Sequence, residues 1–248
     1  IFFSNELFKA IDQKEVTAAI LLDLSKAFDS LNHEILLRKL AKLGVSTDAL
    51  KWFRSYLAER VQRVRIHDSV SSPLTISHGV LQGSILGPLL FTLYVNDLPT
   101  ACTTCKVNLF VVDSKMFLSF SAKDTNHNLE LVKTDLLRIA SWCCTNHLLL
   151  NPDKTKLAMF GTHQMLKCVA PQSIMVLGNE LKISDSVKDL GIILDSQFSF
   201  NDHIDYLVPS LMSKLCSINR INHLLDHKTI ITVIHSLVFS KLYYCSCV

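Results

Sequence analysis

Apolar and polar residues follow two patterns in the first part of the chain, one typical of buried strands and one of amphipathic helices. The uncharged run 17–22 is short and compatible with a β-strand buried on both faces, and Asp23 follows it directly. Leucines at helical spacing predict a helix that ends at Gly44, and 48–59 predicts a second helix that packs against it. The pattern therefore predicts a mixture of strands and helices.

The mixed pattern continues to about residue 198. Apolar residues three and four apart, from Leu129 to Cys143, predict an amphipathic helix on the sheet, and Trp142 at its end is favoured as a core anchor over a base-stacking residue. A two-residue hairpin signal at 178–179 joins two further strands, and Asp195 is expected to be a turn residue. The other predicted strands are 61–67, 155–160 and 187–194.

The pattern becomes helical after residue 199. We expect one helix over 203–221, bent or interrupted at Pro209, and another over 228–244. His235 and Lys241 break the apolar segment 230–248, which favours a packed helix over a membrane span. A boundary is therefore predicted near residue 199, with a small helical region over 199–248.

Composition indicates a globular chain of one large domain or of a main lobe with a smaller one. The 248 residues are 49% hydrophobic and 19% charged, and the net charge of +3 permits a nucleic-acid partner without requiring one. The 8 cysteines are scattered, which favours reduced thiols over a disulfide framework. Cys102 and Cys105 are accordingly interpreted as ordinary loop residues.

Two acidic positions carry the candidate chemistry. Asp23 at the end of a buried strand is either a functional carboxylate or a cap of the next turn, and the strand alone leaves both open. The segment 106–120 predicts a hairpin with Asp113 at its tip, which would lie near Asp23 if the hairpin packs beside the first strand. Carboxylates on adjacent strands can hold Mg²⁺ for phosphoryl transfer.

A glycine-rich stretch and an arginine cluster are weaker signals. Gly79, Gly83 and Gly87 are spaced four residues apart, which suggests backbone that passes close to a base pair or a sugar, although a tight junction from loop to helix explains them too. The densest cationic cluster of the sequence comprises Arg60, Arg63 and Arg65. These arginines either contact phosphates or lie on the solvent-exposed face of an edge strand.

Five motifs, in the right order and spacing, resemble the reverse transcriptases of non-LTR (LINE-type) retrotransposons. The motifs are ILLDLSKAFDSLNH, GVLQGSILGPLLFTLYVNDL, NLFVVDSKMFLSF, WCCTNHLLLNPDKTKLAMF and VKDLGIILD. The resemblance implies an α+β right-hand polymerase: a palm that is mainly antiparallel sheet with helices on one face, then a small helical thumb. We expect 1–198 to be partial fingers and palm, with the amino-terminal part missing, and 199–248 to be thumb-like.

The resemblance also implies a role for each matching residue. Asp23 and Asp113 would be catalytic, metal-binding carboxylates that hold Mg²⁺ while a primer 3′-hydroxyl attacks the α-phosphate of a deoxynucleotide. Phe28 would exclude a ribose 2′-hydroxyl. The residues implied to contact nucleotide, template or primer are Gln82, Gly83, Ser84, Lys154, Leu190 and Gly191. The implied partners are an RNA template, a DNA primer and deoxynucleotides, inside the cell in cytoplasm and nucleus, with no membrane.

The chain departs from the family at the hairpin tip. The family has an aromatic, a small residue and two aspartates there, and Phe110 fixes the alignment so that Val112 replaces the first aspartate. An isopropyl group cannot coordinate a cation, so we expect severe loss of polymerase activity. Lys115 and Leu81 are further departures that indicate drift. A non-catalytic nucleic-acid-binding remnant and a decayed product without a role remain as alternatives.

Overall fold

The chain is described by a computed structural model that covers residues 2–81, 83–169, 173–176 and 178–244. The α-helices are α1 (Phe2–Asp12), α2 (His33–Lys42), α3 (Thr47–Leu57), α4 (Leu86–Val95), α5 (Thr125–Thr145), α6 (His163–Leu166), α7 (Asn201–Ile221), α8 (His227–Ile234) and α9 (Ser240–Leu242). The strands are β1 (Val16–Leu22), β2 (Leu24–Ser25), β3 (Val61–Gln62), β4 (Arg65–Ile66), β5 (Ser69–Val70), β6 (Leu74–Thr75), β7 (Lys106–Phe110), β8 (Asp113–Phe120), β9 (Leu149–Leu150), β10 (Lys156–Phe160), β11 (Ser173–Val176), β12 (Asn179–Ser184), β13 (Ser186–Asp189) and β14 (Ile192–Asp195).

A six-stranded sheet in the order β11-β12-β10-β1-β8-β7 forms the centre of the molecule. Its neighbours are antiparallel except β10 and β12, which are parallel. Along β1, Ala18 and Ile20 pack into one core and Ala19 into the other. This confirms the prediction of an α+β fold, built around a strand that is buried on both faces.

The two faces of the sheet are covered differently. The larger core contains buried residues of α2, α4 and α5, which form the expected helical layer on one face. The other face is covered by α1 and by the β13–β14 hairpin, where Phe3 packs against Phe117 with ring centroids 5.1 Å apart. The second core thus adds a cover that the sequence pattern did not predict.

The strand predicted over 61–67 is wrong in its extent. Two short ladders pair β3 with β6 and β4 with β5, so that the chain folds back on itself. Every residue from 61 to 75 is exposed, which leaves no buried face opposite the arginines. We call residues 61–75 the arm.

The single strand predicted over 187–194 is also wrong. The segment forms an antiparallel hairpin, β13 with β14, in which Asp189 pairs with Ile192. Leu190 and Gly191 make the turn with φ of 46° and 90°. Backbone in that region reverses the chain and cannot continue a strand.

Residues 201–244 form helices with a small core of their own. Leu211, Ile218 and Val238 are buried together. α7 continues through Pro209, so this proline does not interrupt the helix. A π-helical segment, His235–Phe239, lies between α8 and α9. Among the described residues, no helix is both long and apolar enough to cross a membrane.

Several local predictions are confirmed. Trp142 packs against the larger core at the end of α5, and Asp195 accepts hydrogen bonds from the backbone N–H groups of the turn that follows it. β11 and β12 form a hairpin as predicted, but Asn179, expected in the turn, pairs with Val176 and belongs to the second strand. Leu177, expected at the end of the first strand, lies outside the described residues. Burial raises the pKa of Cys102 to about 12 and also raises the pKa of the Cys105 thiol. Both thiols are therefore protonated near neutral pH.

Candidate nucleotidyl-transfer site

Asp23 and Asp113 lie beside each other at one end of the central sheet. The β1–β8 pairing ends at Leu22 and Ser114. Asp23 follows Leu22 and Asp113 precedes Ser114, so this pairing brings the two aspartates together. Both aspartates line one cavity of about 120 Å³. Asp23 is half-buried and Asp113 is exposed, so solvent reaches both carboxylates.

The hairpin between β7 and β8 has a two-residue turn, Val111–Val112, that follows Phe110 and precedes Asp113. Val111 has a φ of 54°, which is unfavourable for a β-branched residue and is normally left to glycine in such turns. Val112 is half-buried and packs against the larger core. At the position where the resemblance implies a metal-binding aspartate, the chain therefore presents an apolar contact.

Ser114 introduces an unpaired polar atom into the same cavity. Its side chain is buried, and its Oγ makes no hydrogen bond to any described residue. A buried hydroxyl without a partner costs free energy, so such atoms often mark a place where water, an ion or a ligand binds. Apart from its position next to Asp113, no sequence pattern pointed to this residue.

Lysines outnumber aspartates by one in the lining of this cavity. The aspartates are Asp23, Asp113 and Asp189, and the lysines are Lys115, Lys154, Lys156 and Lys188. Lys115 and Asp189 form an ion pair in which the side chains are only 3% and 14% exposed. Lys115, predicted to reflect drift, is therefore a buried lysine with an acidic partner. The alternation of Lys115 with Phe117 on one face of β8 is the sequence signal that could have placed it on a buried face.

The NPDKT segment is tied to the first aspartate through the backbone. The Asn151 N–H donates to the carbonyl oxygen of Asp23 at 2.8 Å, and Thr155 N–H donates to the carbonyl of Asn151 at 3.0 Å. Lys154 lies in the turn between them and is exposed at the cavity. The structure thus brings this lysine to the two aspartates.

The Leu190–Gly191 turn borders the cavity and also contacts the carboxyl-terminal helices. Leu190 lines the cavity, and its carbonyl oxygen accepts a hydrogen bond from the Tyr244 hydroxyl at 2.8 Å. A Cβ at Gly191 would lie 3.7 Å from the Tyr244 ring. The turn implied to hold a primer therefore has a tyrosine of the helical region packed on it.

The glycine-rich stretch packs against the segment that follows Asp23. The Phe28 ring packs against Phe91 of α4 with ring centroids 5.0 Å apart and planes tilted by 45°, and the Phe28 carbonyl oxygen accepts the Val80 N–H at 2.9 Å. Gly79 has a φ of 85°, and a Cβ there would meet the Asp29 carbonyl oxygen at 2.8 Å. The close approach that required this glycine is therefore to the protein's own backbone.

The rest of that stretch leads into α4. The Ser84 hydroxyl accepts the Gly87 N–H at 3.0 Å and donates to the Leu81 carbonyl oxygen at 2.7 Å, so it caps the start of the helix. Gly83 has a φ of 81° and open space around it. Gln82 lies outside the described residues. α4 begins at Leu86, two residues before Pro88.

Arg60, Arg63 and Arg65 do not line the aspartate cavity. Arg63 and Arg65 lie on the arm, and Arg60 precedes it beside Tyr56.

The donors at the aspartate cavity do not fit two divalent cations. Carboxylate and hydroxyl oxygens of Asp23, Asp113 and Ser114 are hard ligands of the kind that Mg²⁺ prefers. Val112 supplies no donor, and the part of the chain that the structure describes contains no group of three or more His, Cys, Asp or Glu residues that could hold a metal ion. The surrounding lysines further disfavour a second cation, because like charges repel.

Comparisons with known proteins agree with this architecture. Residues 4–194 match the family model described as "Reverse transcriptase (RNA-dependent DNA polymerase)". The chain is 31% identical over 208 residues to the probable RNA-directed DNA polymerase from transposon BS of Drosophila melanogaster, covering 81% of this chain and 22% of that protein. It is 26% identical over 216 residues to the RNA-directed DNA polymerase from mobile element jockey of the same species, covering 85% of this chain and 23% of that protein.

The fold is similar to that of solved telomerases. A Candida albicans telomerase in complex with a fragment of telomeric RNA superposes with a TM-score of 0.52 at 12% identity, over 79% of this chain and 32% of that chain. The apo telomerase of Candida tropicalis, truncated from its C-terminal domain, gives 0.52 at 16% identity, over 81% and 38%. The chain spans less than a quarter of the length of the transposon relatives described above. By its family match and its fold, the chain belongs to the reverse transcriptases, as the reverse transcriptase domain of a non-LTR retrotransposon.

Proposed function

We propose that this domain is the palm, with part of the fingers, and the thumb-like region of an RNA-directed DNA polymerase whose nucleotide addition is severely impaired. Residues 1–198 would form the partial fingers and palm, and 199–248 the thumb-like region. The separate small core around Leu211 supports that division. The partners would be an RNA template, a DNA primer and deoxynucleotides.

The observation that carries the proposal is Val112 in the turn beside Asp113. Reverse transcriptases use divalent metal ions, which neutralise charge and align the reacting groups. With Asp23 and Asp113 as the remaining carboxylates, the chain lacks the third one that the resemblance implies for a pair of Mg²⁺ ions. Replacing one direct ligand by an alkyl group should lower the rate at least about 100-fold.

Other residues retain positions suited to substrate. Phe28 is held by Phe91 and by the Gly79–Val80 backbone, which would fix its ring as a barrier to a 2′-hydroxyl. Lys154 is exposed at the aspartate cavity and would contact nucleotide phosphates. Gln82, Gly83 and Ser84 would support template and nucleotide, and Leu190 with Gly191 would support the primer end.

Primer extension on an RNA template with Mg²⁺ tests the proposal. We expect Val112→Asp to extend a primer at least about 100-fold faster than the parent chain. Val112→Asn is the matched control, since it has the size of aspartate without the charge, and it should stay near the parent. Comparable extension by the parent chain would show that Asp23 and Asp113 suffice. Failure of a folded Val112→Asp protein to extend would show that Val112 is not the limiting defect.

A nucleic-acid-binding module without turnover is the second candidate, favoured by the lysines around the cavity. It predicts that a primer–template duplex is retarded in an electrophoretic shift, that the retardation weakens with salt, and that no extension occurs. A decayed product would instead aggregate or melt without cooperativity.

A further inference from the structure

Three planar groups form a column on the surface of α3 and the residues that follow it. Trp52 and Tyr56 lie one helical turn apart, with ring centroids 5.5 Å apart and planes 10° from parallel. The Arg60 guanidinium carbon is 5.1 Å from the centre of the Tyr56 ring, and its Nε donates to the Tyr56 carbonyl oxygen at 2.8 Å. We call Trp52, Tyr56 and Arg60 the ladder.

Trp52 and Arg60 of the ladder are exposed to solvent. Trp52 is 54% exposed, whereas its neighbour Phe53 packs against the larger core and meets the Trp52 ring edge-on at 5.1 Å. Tyr56 is half-buried and packs against the edge of the same core, to which the helix also contributes the buried Leu57. A large aromatic side chain held flat against a second ring, with most of its surface in solvent, offers a face on which another planar group can stack.

The charge next to the ladder is uncompensated. Lys51 and Arg54 of the same helix pair with Asp48 at 3.1 Å and with Glu34 at 2.8 Å. Over the described ranges, in contrast, no carboxylate forms an ion pair with a second group of cations. That group comprises Arg60 of the ladder and Arg63 and Arg65 of the arm.

A cavity of about 590 Å³ adjoins the ladder and leads towards the polymerase motifs. Tyr56 and Arg60 line it, together with His78 and with Asp29 and Leu81, which neighbour Phe28 and Gln82 in sequence. Its volume is in the range of sites that hold a small ligand or a nucleotide. A strand seated on the ladder could therefore continue towards the glycine-rich stretch that begins at Gly79.

Exposed aromatic faces beside unpaired arginines are the two elements of a site for single-stranded nucleic acid, because bases stack on the rings while cations neutralise phosphates. We propose that the ladder is a stacking platform for unpaired bases of single-stranded nucleic acid, with Arg63 and Arg65 contacting the adjacent phosphates. This inference deepens the proposed function and rests on it, since it assigns a path to the unpaired strand. A protein partner would be expected to match an apolar face, which the arginines interrupt.

Tryptophan fluorescence tests the inference. The chain has 2 tryptophans, so Trp142→Phe leaves Trp52 as the single reporter. Titration of this full-length variant with a 20-nucleotide oligouridine should quench the Trp52 emission along the same isotherm as the fluorescence anisotropy of the labelled oligonucleotide. An oligonucleotide of equal length without bases should bind through its phosphates without quenching.

Variants separate stacking from charge. In the otherwise unaltered chain, Trp52→Ala and Tyr56→Ala should each weaken oligouridine binding by about fivefold or more with an unchanged salt dependence, since a stacked base contributes about 1–3 kcal/mol. Arg63→Ala should instead reduce the slope of log affinity against log salt by roughly 0.7. Met175→Ala, which removes another exposed apolar side chain from the far edge of the sheet, is the matched control and should bind like the parent.

The inference is overturned if oligouridine binds without quenching Trp52, or if Trp52→Ala binds as tightly as Met175→Ala. It is also overturned if Trp52→Ala abolishes self-association of the chain while oligouridine has no effect, since a second copy would then cover the ladder. The binding assay needs no nucleotide addition. If oligouridine quenches Trp52 but Val112→Asp does not extend a primer, only the proposed activity is contradicted. If Val112→Asp extends a primer but oligouridine does not quench Trp52, only the assignment of the ladder as a stacking platform is contradicted.

Discussion

The buried ion pair between Lys115 and Asp189 is predicted to couple the β7–β8 hairpin to the Leu190–Gly191 turn. Lys115 belongs to β8, two residues after Asp113, and Asp189 is the last residue of β13, just before Leu190. The Lys115 ammonium also lies 4.9 Å from the centre of the Phe3 ring. Changing either partner should therefore disturb a contact that joins three parts of the fold.

The burial of the two side chains sets the expected magnitude. Removing one partner of a buried pair typically costs about 3–5 kcal/mol, because the other charge is left without compensation. Asp189→Asn leaves an ammonium on a side chain that is 3% exposed, so its cost should lie near the top of that range. Lys115→Met leaves a carboxylate on a side chain that is 14% exposed, and its cost should lie near the bottom.

The double variant Lys115→Met with Asp189→Leu removes both charges. Its free energy of unfolding should lie within about 2 kcal/mol of that of the parent, since an apolar replacement of a buried ion pair is often neutral. Urea unfolding followed by circular dichroism measures all four proteins, with unchanged m-values as the check on two-state behaviour. Single variants that each cost less than about 1 kcal/mol, with effects that add in the double variant, would refute the coupling.

Two further predictions concern stability. Burial by itself raises the pKa of Asp135, but the N–H groups of Cys105, Thr104 and Thr103 outweigh it and hold the pKa at about 2. Because the folded pKa lies below the ordinary value of 3.8, the ionised carboxylate adds about 2 kcal/mol to the free energy of unfolding above pH 4, and this contribution is lost as the pH falls towards 2. Urea unfolding at a series of pH values should show that Asp135→Asn lacks this acid-dependent loss of stability. An acid transition that is the same in Asp135→Asn and the parent would contradict the prediction. Val111→Gly should raise the free energy of unfolding by about 1 kcal/mol, because glycine adopts a φ of 54° without strain. Val111→Ile keeps the β-branch and should not raise it. A lower free energy of unfolding in the glycine variant would contradict the claim that Val111 is strained.

Local patterns predicted most of the fold because the relevant signals lie close together in sequence. The uncharged run before Asp23 predicted β1. Apolar residues three and four positions apart predicted α5, in which Leu129 and Cys143 are buried. The motif order placed Asp23 and Asp113 at one end of the sheet, where the pairing of Leu22 with Ser114 brings them together.

The errors and omissions depend on contacts that no local pattern contains. Leu190 takes a positive φ that a leucine seldom adopts, so a hairpin was predicted as one strand. Lys115 and Asp189 are 74 residues apart, and only tertiary packing makes the lysine a structural partner. The segment 61–67 was predicted as one strand because alternation alone does not show where a chain folds back, as it does here in two short ladders.

Binding of Mn²⁺, a paramagnetic substitute for Mg²⁺, tests the central claim most directly, because it does not depend on the partners needed for turnover. We predict that the parent chain binds this ion weakly by electron paramagnetic resonance titration, and that Val112→Asp gains at least about tenfold in affinity, which Asp23→Asn then removes. Binding by the parent chain as tight as that of Val112→Asp would contradict the claim that Val112 disables the metal site.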